Sequence, residues 1–438
     1  MTLASIATAV RSSERRALDL ARETIERLRA GNPTLTAATR ILDDRAMADA
    51  AAVDAQVAAG RDPGPLAGVM FGVKDLFDVA GEVTTAGAAM LRDAPPATRD
   101  AEAVARLRAA GAVLVATLNM DEFAYGFATV NAAFGTTRNP HDRDRLAGGS
   151  SGGSAAVVAA GLVPLSLGSD TNGSIRVPAA LCGLYGLKPT HGALPMAGVH
   201  PFVDSFDDIG PFATSIADLK LAWEVLGGTG KPAPPSRPAI LGGWFALNQS
   251  ADLAHAIAAI GRHLGDIPTV ELREVARARS AAYIMTAAEG GARHLPDLRT
   301  RPMGFDPATR DRLIAGAMVP ASAYLAAQDF RRWFAAEAAA LFARHDVLIA
   351  PCVGDVAPRI DDPMVDMDGA RVPARAHLGL YTQPLSFIGL PVIAVPLMRP
   401  GRLPLGLQLV GPPGGEAALF ALAERLEADG LIGVSHPR

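Results

Sequence analysis

The sequence predicts an α/β fold, in which one domain is built on a mixed, largely parallel central β-sheet that helices cover on both faces. Two observations predict it. Apolar residues make up 49% of the 438 residues and aromatic residues only 5%, so the core consists mainly of aliphatic side chains on closely packed elements. Helical and strand patterns alternate between residues 100 and 170, as in βαβ units that build a parallel sheet.

The composition excludes several partner classes. A formal net charge of −4 offers no basic field for nucleic acid. No segment reaches the roughly 18 apolar residues of a membrane helix. The first 28 residues lack the basic start and apolar block of a signal peptide. Cys182 and Cys352 lie in apolar segments and cannot form a disulfide framework. We expect a cytoplasmic protein that binds neither nucleic acid nor membrane.

The first half of the chain contains the elements that should position a site. Residues 1–60 show Ala-rich helical patterns and are predicted to form a helical layer over the sheet. Residues 65–200 form the predicted catalytic core, whose first strand ends at Lys74, and strand ends are where α/β enzymes place functional groups. The other predicted elements of this core are a helix at 100–110, a strand at 112–117, a helix at 155–161 and a strand at 162–169.

The second half carries fewer motifs. It is predicted to contain a proline-rich link at 231–238, a mainly helical, cap-like insertion at 250–345, and a closing hairpin and helix within 390–430. Within the insertion, residues 294–301 form an arginine-dense segment that we predict to be a loop. We treat all these parts as one domain spanning residues 1–438.

A Gly/Ser-rich stretch at residues 147–190 is the predicted active site. Ser150 and Ser151 lie among four glycines, and Ser174 ends the segment GSDTNGS after an apolar run. Glycine permits positive φ and close backbone approach, so main-chain N–H groups can contact a small ligand at both places. The stretch therefore offers three hydroxyl groups as nucleophiles.

Several chemistries compete for these serines. The segment GSSGG matches the G-x-S-x-G elbow with Ser151 as nucleophile, but an elbow follows an apolar strand and polar residues 139–145 precede this one. A phosphate loop would need a lysine that is absent, and no histidine or cysteine spacing fits a metal site. A Ser-Ser-Lys relay fits better. A lysine can act as base when it is neutral, and burial lowers the pKa of an amine, as expected for Lys74 after the apolar run LAGVMFGV.

Five blocks between residues 65 and 425 resemble the amidase signature family: GVKDLFDVAG, NMDEFAYG, GGSSGGSAAVVAAGLV, LGSDTNGSIRVPAALCGLYGLKPT and PLGLQLVGPPGGE. The resemblance implies that Lys74 is the base, that Ser150 is a bridging serine with a cis peptide bond, and that Ser174 is the nucleophile. It also implies an amidohydrolase without metal or cofactor, and an oxyanion hole formed by backbone N–H groups of the loop before Ser174, which includes Thr171, Asn172 and Gly173.

The wording DTNGSIRVPA departs from the commonest form of the family, because Asn172 stands where glycine is usual. Together with residues 289–316 it resembles the bacterial branch that hydrolyses biuret or 1-carboxybiuret in s-triazine breakdown, with release of ammonia. Two alternatives stay open: an amidotransferase A-type subunit that passes ammonia to another site, and a non-catalytic assembly subunit. The family resemblance also implies either a homodimer or a small helical partner subunit.

Other residues have both a functional and a structural interpretation. Ser151 is expected to support the loop, and Asp170 and Arg176 to form an ion pair that holds it. Arg299 and Arg301 could clamp a substrate carboxylate or lie in solvent. Four further residues have open roles, with pocket and core positions both compatible: Asn119, Tyr125, His377 and Gln383.

Overall fold

The computed structural model describes residues 1–229, 236–435 and 437, so the proline-rich link predicted at 231–238 lies mostly outside the described residues. The described residues contain fourteen α-helices, which are α1 Leu3–Arg11, α2 Ala17–Leu35, α3 Asp43–Ala58, α4 Glu102–Ala109, α5 Gly152–Ala159, α6 Arg176–Cys182, α7 Ile216–Val225, α8 Ala251–His263, α9 Val275–Thr300, α10 Pro307–Ala317, α11 Ala321–Phe342, α12 Ala374–His377, α13 Gln383–Ser386 and α14 Glu416–Ala428.

The same residues contain seventeen strands, of which eleven form one sheet in the order β1-β3-β2-β8-β10-β9-β16-β17-β13-β11-β12. The remaining strands form three short two-stranded ribbons, β4–β5, β6–β7 and β14–β15. The strands are β1 Ala38–Ile41, β2 Met70–Lys74, β3 Val113–Leu118, β4 Val130–Asn131, β5 Gly135–Thr136, β6 Arg138–Asn139, β7 Asp142–Leu146, β8 Leu165–Asp170, β9 Tyr185–Lys188, β10 Asp208–Ala213, β11 Pro238–Leu241, β12 Thr269–Val270, β13 Val347–Pro351, β14 Met364–Met367, β15 Ala370–Pro373, β16 Val392–Pro396 and β17 Gly406–Val410.

The central sheet is mixed, as predicted, but the prediction that it is largely parallel is wrong. Parallel pairing joins β3, β2 and β8 on one side and β13, β11 and β12 on the other. All neighbours from β8 through β10, β9, β16 and β17 to β13 are antiparallel. Parallel neighbours need a crossover, which α4, α5 and α8 provide, whereas β10 and the β16–β17 hairpin are reached without one.

Helices cover both faces of this sheet, because successive side chains of a strand point to opposite faces. On β3, Leu114 belongs to one buried apolar cluster, whereas Val113 and Val115 belong to a second cluster. Phe71 and Met70 of β2 divide between the same two clusters. The strand ends that carry the candidate site therefore lie between two packed layers, out of contact with bulk solvent.

The N-terminal layer and the cap differ in detail from the sequence prediction. Residues 1–60 contain α1, α2 and α3, and also contribute the edge strand β1, which pairs antiparallel with β3. The arginine-dense segment 294–301 is not a loop, because α9 continues through it to Thr300 despite Pro296. His294 and Leu298 are buried one turn apart, and this packing outweighs the weak helical propensity of the segment. None of the described helices is long and apolar enough to cross a membrane.

Candidate active site

Lys74 is the last residue of β2, a strand between β3 and β8 that is buried along its whole length. Its side chain is completely buried. The amine Nζ lies 2.7 Å from Ser150 Oγ and 2.8 Å from Ser169 Oγ, and donates a hydrogen bond to each hydroxyl. The structure therefore joins the predicted base and the predicted bridging serine directly, and adds Ser169 as a second partner.

Burial decides the protonation of this amine. It lowers the pKa of Lys74 from 10.5 to about 7, although the negative charges of Asp121, Asp207 and Asp170 oppose the shift. A lysine with such a pKa is neutral in about half of the molecules at pH 7, whereas an exposed lysine is almost entirely protonated. Lys74 can therefore accept a proton through Ser150 near neutral pH.

The loop that carries Ser150 is fixed by Asp121. The Gly149–Ser150 peptide bond is cis. The carboxylate of Asp121 accepts hydrogen bonds from the backbone N–H of Ala128 at 3.1 Å and of Thr129 at 2.9 Å. A Cβ at Gly149 would lie 2.3 Å from Asp121 Oδ2 and 2.5 Å from Ala128 N, so no larger residue fits without displacing this support.

Ser151 connects this loop to the nucleophile strand through hydrogen bonds. Its hydroxyl donates to the carbonyl of Ser169 at 3.0 Å, and its backbone N–H donates to the carbonyl of Ser174 at 3.3 Å. Because the hydroxyl is engaged by the backbone of β8, it is not free to attack a substrate. This geometry favours a supporting role for Ser151 over the elbow interpretation.

Ser174 lies in the turn between β8 and α6, and a buried ion pair shapes that turn. Asp170 and Arg176 are both fully buried and form two hydrogen bonds, of 2.9 and 3.0 Å. Burial opposes the ionisation of Asp170, but the charge and hydrogen bonds of Arg176 hold the pKa of Asp170 below its usual value. Asp170 also accepts from the N–H of Gly173 at 2.6 Å and of Ile175 at 3.2 Å. An oxyanion would therefore draw on other N–H groups of the turn than that of Gly173.

Ser174 faces a small cavity that the core and the cap enclose together. Residues from the predicted loop, from α9 and α10 of the cap, and from α13 surround it: Ala124, Tyr125, Gly126, Phe127, Thr171, Asn172, Ser174, Phe202, Tyr283, Thr286, Arg312 and Gln383. Tyr125 and Gln383, whose roles the sequence left open, are among them. A substrate amide reaching Ser174 would thus contact the cap as well as the core.

Asn172 has an amide group that is only half satisfied. Its Nδ2 donates to Thr286 Oγ1 on α9 at 2.9 Å, and its backbone carbonyl accepts from Thr382 Oγ1 at 2.7 Å. Its Oδ1 is buried without a hydrogen-bond partner. Because a buried acceptor without a donor costs free energy, this oxygen is suited to accept an N–H group from a bound ligand.

Arg312 on α10 is the arginine that lines the cavity. Its guanidinium lies 3.6 Å from the ring centroid of Tyr125, and its Nη1 donates to the carbonyl of Tyr125 at 3.0 Å. Arg299 and Arg301 are exposed instead, and Arg301 pairs with Asp297. The structure therefore brings Arg312, and neither of the two arginines named from the sequence, to the cavity of Ser174.

Comparison with known proteins places the chain in a family. The family model described as Amidase matches residues 19–249 and 266–420. The chain belongs to the amidase family. It is 44% identical to AtzE of Pseudomonas sp. (strain ADP), a 1-carboxybiuret hydrolase subunit, over 98% of this chain and 99% of that protein. It is 35% identical to the A-type subunit of glutamyl-tRNA(Gln) amidotransferase from Roseiflexus sp. (strain RS-1), over 97% and 95%.

A solved structure resembles this amidase over nearly its whole length. A chain from a vestigial protein complex of an s-triazine catabolic enzyme superposes with a TM-score of 0.95 at 42% identity, covering 99% of this chain and 100% of that one. The resemblance to the amidase signature family and the expectation of an enzyme that acts on amides are thus confirmed.

The amidase site contains residues that sequence reasoning missed. Ser169 contacts the amine of Lys74, Thr286 orients Asn172, and Arg312 stacks on Tyr125. Ser169 directly precedes Asp170 in the GSDTNGS segment, so the alternation of side chains along β8 could have indicated it. Asn119 instead contacts structural partners, donating to the carbonyls of Thr36 and Gly135. Across the part of the chain that the structure describes, no group of three or more His, Cys, Asp or Glu is arranged to bind a metal.

Proposed function

We propose that this amidase hydrolyses a linear C–N amide bond of a small carboxylated ureido compound of the biuret or 1-carboxybiuret type and releases ammonia. Neutral Lys74 accepts a proton from Ser150 as Ser150 accepts one from Ser174, and Ser174 Oγ attacks the amide carbonyl. Backbone N–H groups of the turn at Thr171–Ser174 stabilise the oxyanion. Ser150 then gives its proton to the leaving nitrogen, ammonia departs, and water hydrolyses the acyl enzyme by the reverse proton path.

The single observation that carries this proposal is the buried contact between Lys74 and Ser150. The two polar atoms lie 2.7 Å apart, and the amine has a pKa of about 7. A structural lysine would need a paired carboxylate to offset its burial, whereas Lys74 has two serine hydroxyls as its hydrogen-bond acceptors. This arrangement supports a proton relay, because a base of matched pKa is connected to the nucleophile loop.

The substrate class is supported by two groups in the cavity. Arg312 offers a guanidinium that can bind a carboxylate, and Asn172 Oδ1 offers a buried acceptor for an N–H group. A carboxylated ureide carries both features. The similarity to a protein of 1-carboxybiuret hydrolysis supports the same choice.

A panel of amides tests the proposal. Ammonia release would be measured with 1-carboxybiuret, biuret, allophanate, malonamide and glutamine, with the Ser174→Ala variant as the control for background release. We expect the highest kcat/KM for 1-carboxybiuret or biuret and none for Ser174→Ala. A clear preference for malonamide or glutamine would contradict the substrate class. Equal release by Ser174→Ala would contradict the mechanism.

The similarity to A-type subunits of amidotransferases favours one second candidate, a glutaminase-like protein that transfers ammonia within a complex. Glutamine hydrolysis that starts only when an acyl acceptor and a partner protein are both present would support it. Full activity of the isolated chain on ureides would exclude it, and would exclude a non-catalytic assembly role as well. We propose a homodimer or a small helical partner as the assembly. The free, buried Cys182 and Cys352 support a reducing compartment such as the cytoplasm.

A further inference from the structure

Three basic side chains surround Tyr283 at the outer edge of the cap. Arg279 lies one helical turn before Tyr283 on α9, Arg312 lies on α10 with its guanidinium 5.8 Å from the Tyr283 ring, and His377 ends α12. Within the described ranges, none of these three side chains is paired with a carboxylate; the hydrogen bonds of Arg312 go to Tyr125 and Tyr283. His377 Nδ1 donates to the carbonyl of Pro373.

This cluster is electrostatically costly. Arg279 is half-buried, and its Nε is buried without a hydrogen-bond partner. Burial lowers the pKa of the Arg279 guanidinium, and burial together with the positive charges of Arg279 and Arg312 lowers the pKa of His377. A half-buried cation without a counter-ion destabilises a fold, so a bound anion would relieve a cost that the free protein bears.

The cluster encloses a cavity of suitable size. Arg279, Ser280, Tyr283, Ile284, Ala376 and His377 line a space of about 290 Å³. The inner cavity at Ser174 measures only about 20 Å³, which is room for little more than one water molecule. Tyr283 lines both cavities and is 40% exposed. A substrate must therefore displace side chains to reach Ser174, and Tyr283 is the side chain that the two spaces share.

We propose that the outer cavity is an anion-binding subsite, in which Arg279 and His377 capture a small carboxylate before Tyr283 moves aside and Arg312 receives it next to Ser174. The inference rests on the proposed hydrolysis of carboxylated amides. Uncompensated positive charge around a cleft concentrates anions and raises their association rate. Arg279 is then a residue that controls substrate capture, and it takes no part in bond cleavage.

The Arg279→Gln variant tests this subsite, with Arg299→Gln as a matched control, because Arg299 is an exposed arginine of the same helix. The kcat/KM for 1-carboxybiuret and for neutral malonamide would be measured at low and high ionic strength. We expect Arg279→Gln to lower kcat/KM for the anion by about tenfold at low salt. The effect should shrink at high salt and be absent for malonamide and in Arg299→Gln. Equal values for the two variants, or an equal loss with both substrates, would overturn the subsite.

A binding measurement separates this inference from the proposed function. Malonate affinity would be measured by calorimetry for the wild type and both variants, independently of turnover. If 1-carboxybiuret is not hydrolysed but malonate binds at least severalfold more weakly to Arg279→Gln than to Arg299→Gln, the subsite stands and the substrate proposal fails. If malonate binds all three proteins equally, or binds none of them, the subsite is refuted whatever the enzyme hydrolyses.

Discussion

Lys74 Nζ and Ser150 Oγ lie 2.7 Å apart, and both side chains are completely buried. The two residues come from different elements, since Lys74 ends β2 and Ser150 precedes α5. Their contact defines where a proton can travel, because the strand fixes the amine and the Asp121-supported loop fixes the hydroxyl. Chemistry at this site should therefore depend on whether the lysine is charged.

The pH dependence of activity should report the pKa of Lys74. The amine must be neutral to accept a proton, and its pKa is lowered to about 7. We expect kcat/KM to rise with pH through about 7 and to fall about tenfold per pH unit below that value. Lys74→Arg, whose guanidinium keeps its proton, should lose activity at every pH. A wild-type profile that is flat between pH 6 and 8 would contradict Lys74 as the base.

Ser169 should tune this pKa without taking part in the reaction. Its hydroxyl accepts a hydrogen bond from Lys74 at 2.8 Å, which stabilises the ammonium form. Ser169→Ala removes one acceptor, so the pKa of Lys74 should fall and the acidic limb of kcat/KM should move to lower pH by about one unit. Ser166→Ala, which affects another buried serine of β8, is the control. An unchanged acidic limb would show that Ser169 only fills space.

The two neighbouring serines of the loop and the serine of the turn should respond differently to alanine. Ser174→Ala removes the nucleophile and should reduce kcat by at least about a thousandfold. Ser151→Ala removes a hydrogen bond to the carbonyl of Ser169, so it should lower thermal stability by about 1 kcal/mol and leave measurable turnover. Acyl trapping and thermal unfolding of both variants would check this. Turnover by Ser174→Ala with none by Ser151→Ala would restore the elbow interpretation.

The extent to which the sequence predicted the site follows from the length of its contacts. Lys74, Ser150 and Ser174 lie in blocks with fixed local spacing, so the amidase resemblance located them. Arg312 and Thr286 reach the cavity from helices of the cap, and their contacts depend on how α9 and α10 pack against the core. Helical periodicity can place such residues on a face, but it cannot determine what that face contacts.

The same limit explains the errors in the fold. A helix over residues 294–301 contradicts local propensity, because Pro296 and several arginines suggest a loop, and only the burial of His294 and Leu298 reveals it. Sheet direction was mispredicted because β10 follows β9 through a loop, and pattern alone does not state the direction in which a strand returns.

Arg312 should bind the substrate carboxylate in the inner cavity. Arg312→Gln should lower kcat/KM for 1-carboxybiuret about a hundredfold, because a charge-assisted bidentate contact is lost, and should change kcat/KM for malonamide little. Arg312→Lys should recover part of the loss by keeping one charge. The test compares kcat/KM for the two substrates across the three proteins. Equal losses with both substrates would mean that Arg312 only supports Tyr125.

Asn172 should select substrates that present an N–H group. Thr286 Oγ1 accepts from Asn172 Nδ2, and this contact leaves the buried Oδ1 as the acceptor. Biuret carries an N–H where malonamide carries a methylene group, and a methylene group would leave Oδ1 unsatisfied, which costs about 1–3 kcal/mol.

Thr286→Val removes the acceptor that orients Asn172 and keeps the side-chain shape. We therefore expect this variant to reduce the biuret-to-malonamide ratio of kcat/KM by about tenfold, because the amide can turn and offer a donor instead. Thr286→Ser, which keeps the hydroxyl, should retain the ratio. Since malonamide turnover reports folding and the relay, a ratio that stays constant in Thr286→Val would show that Asn172 does not read the central group of the substrate.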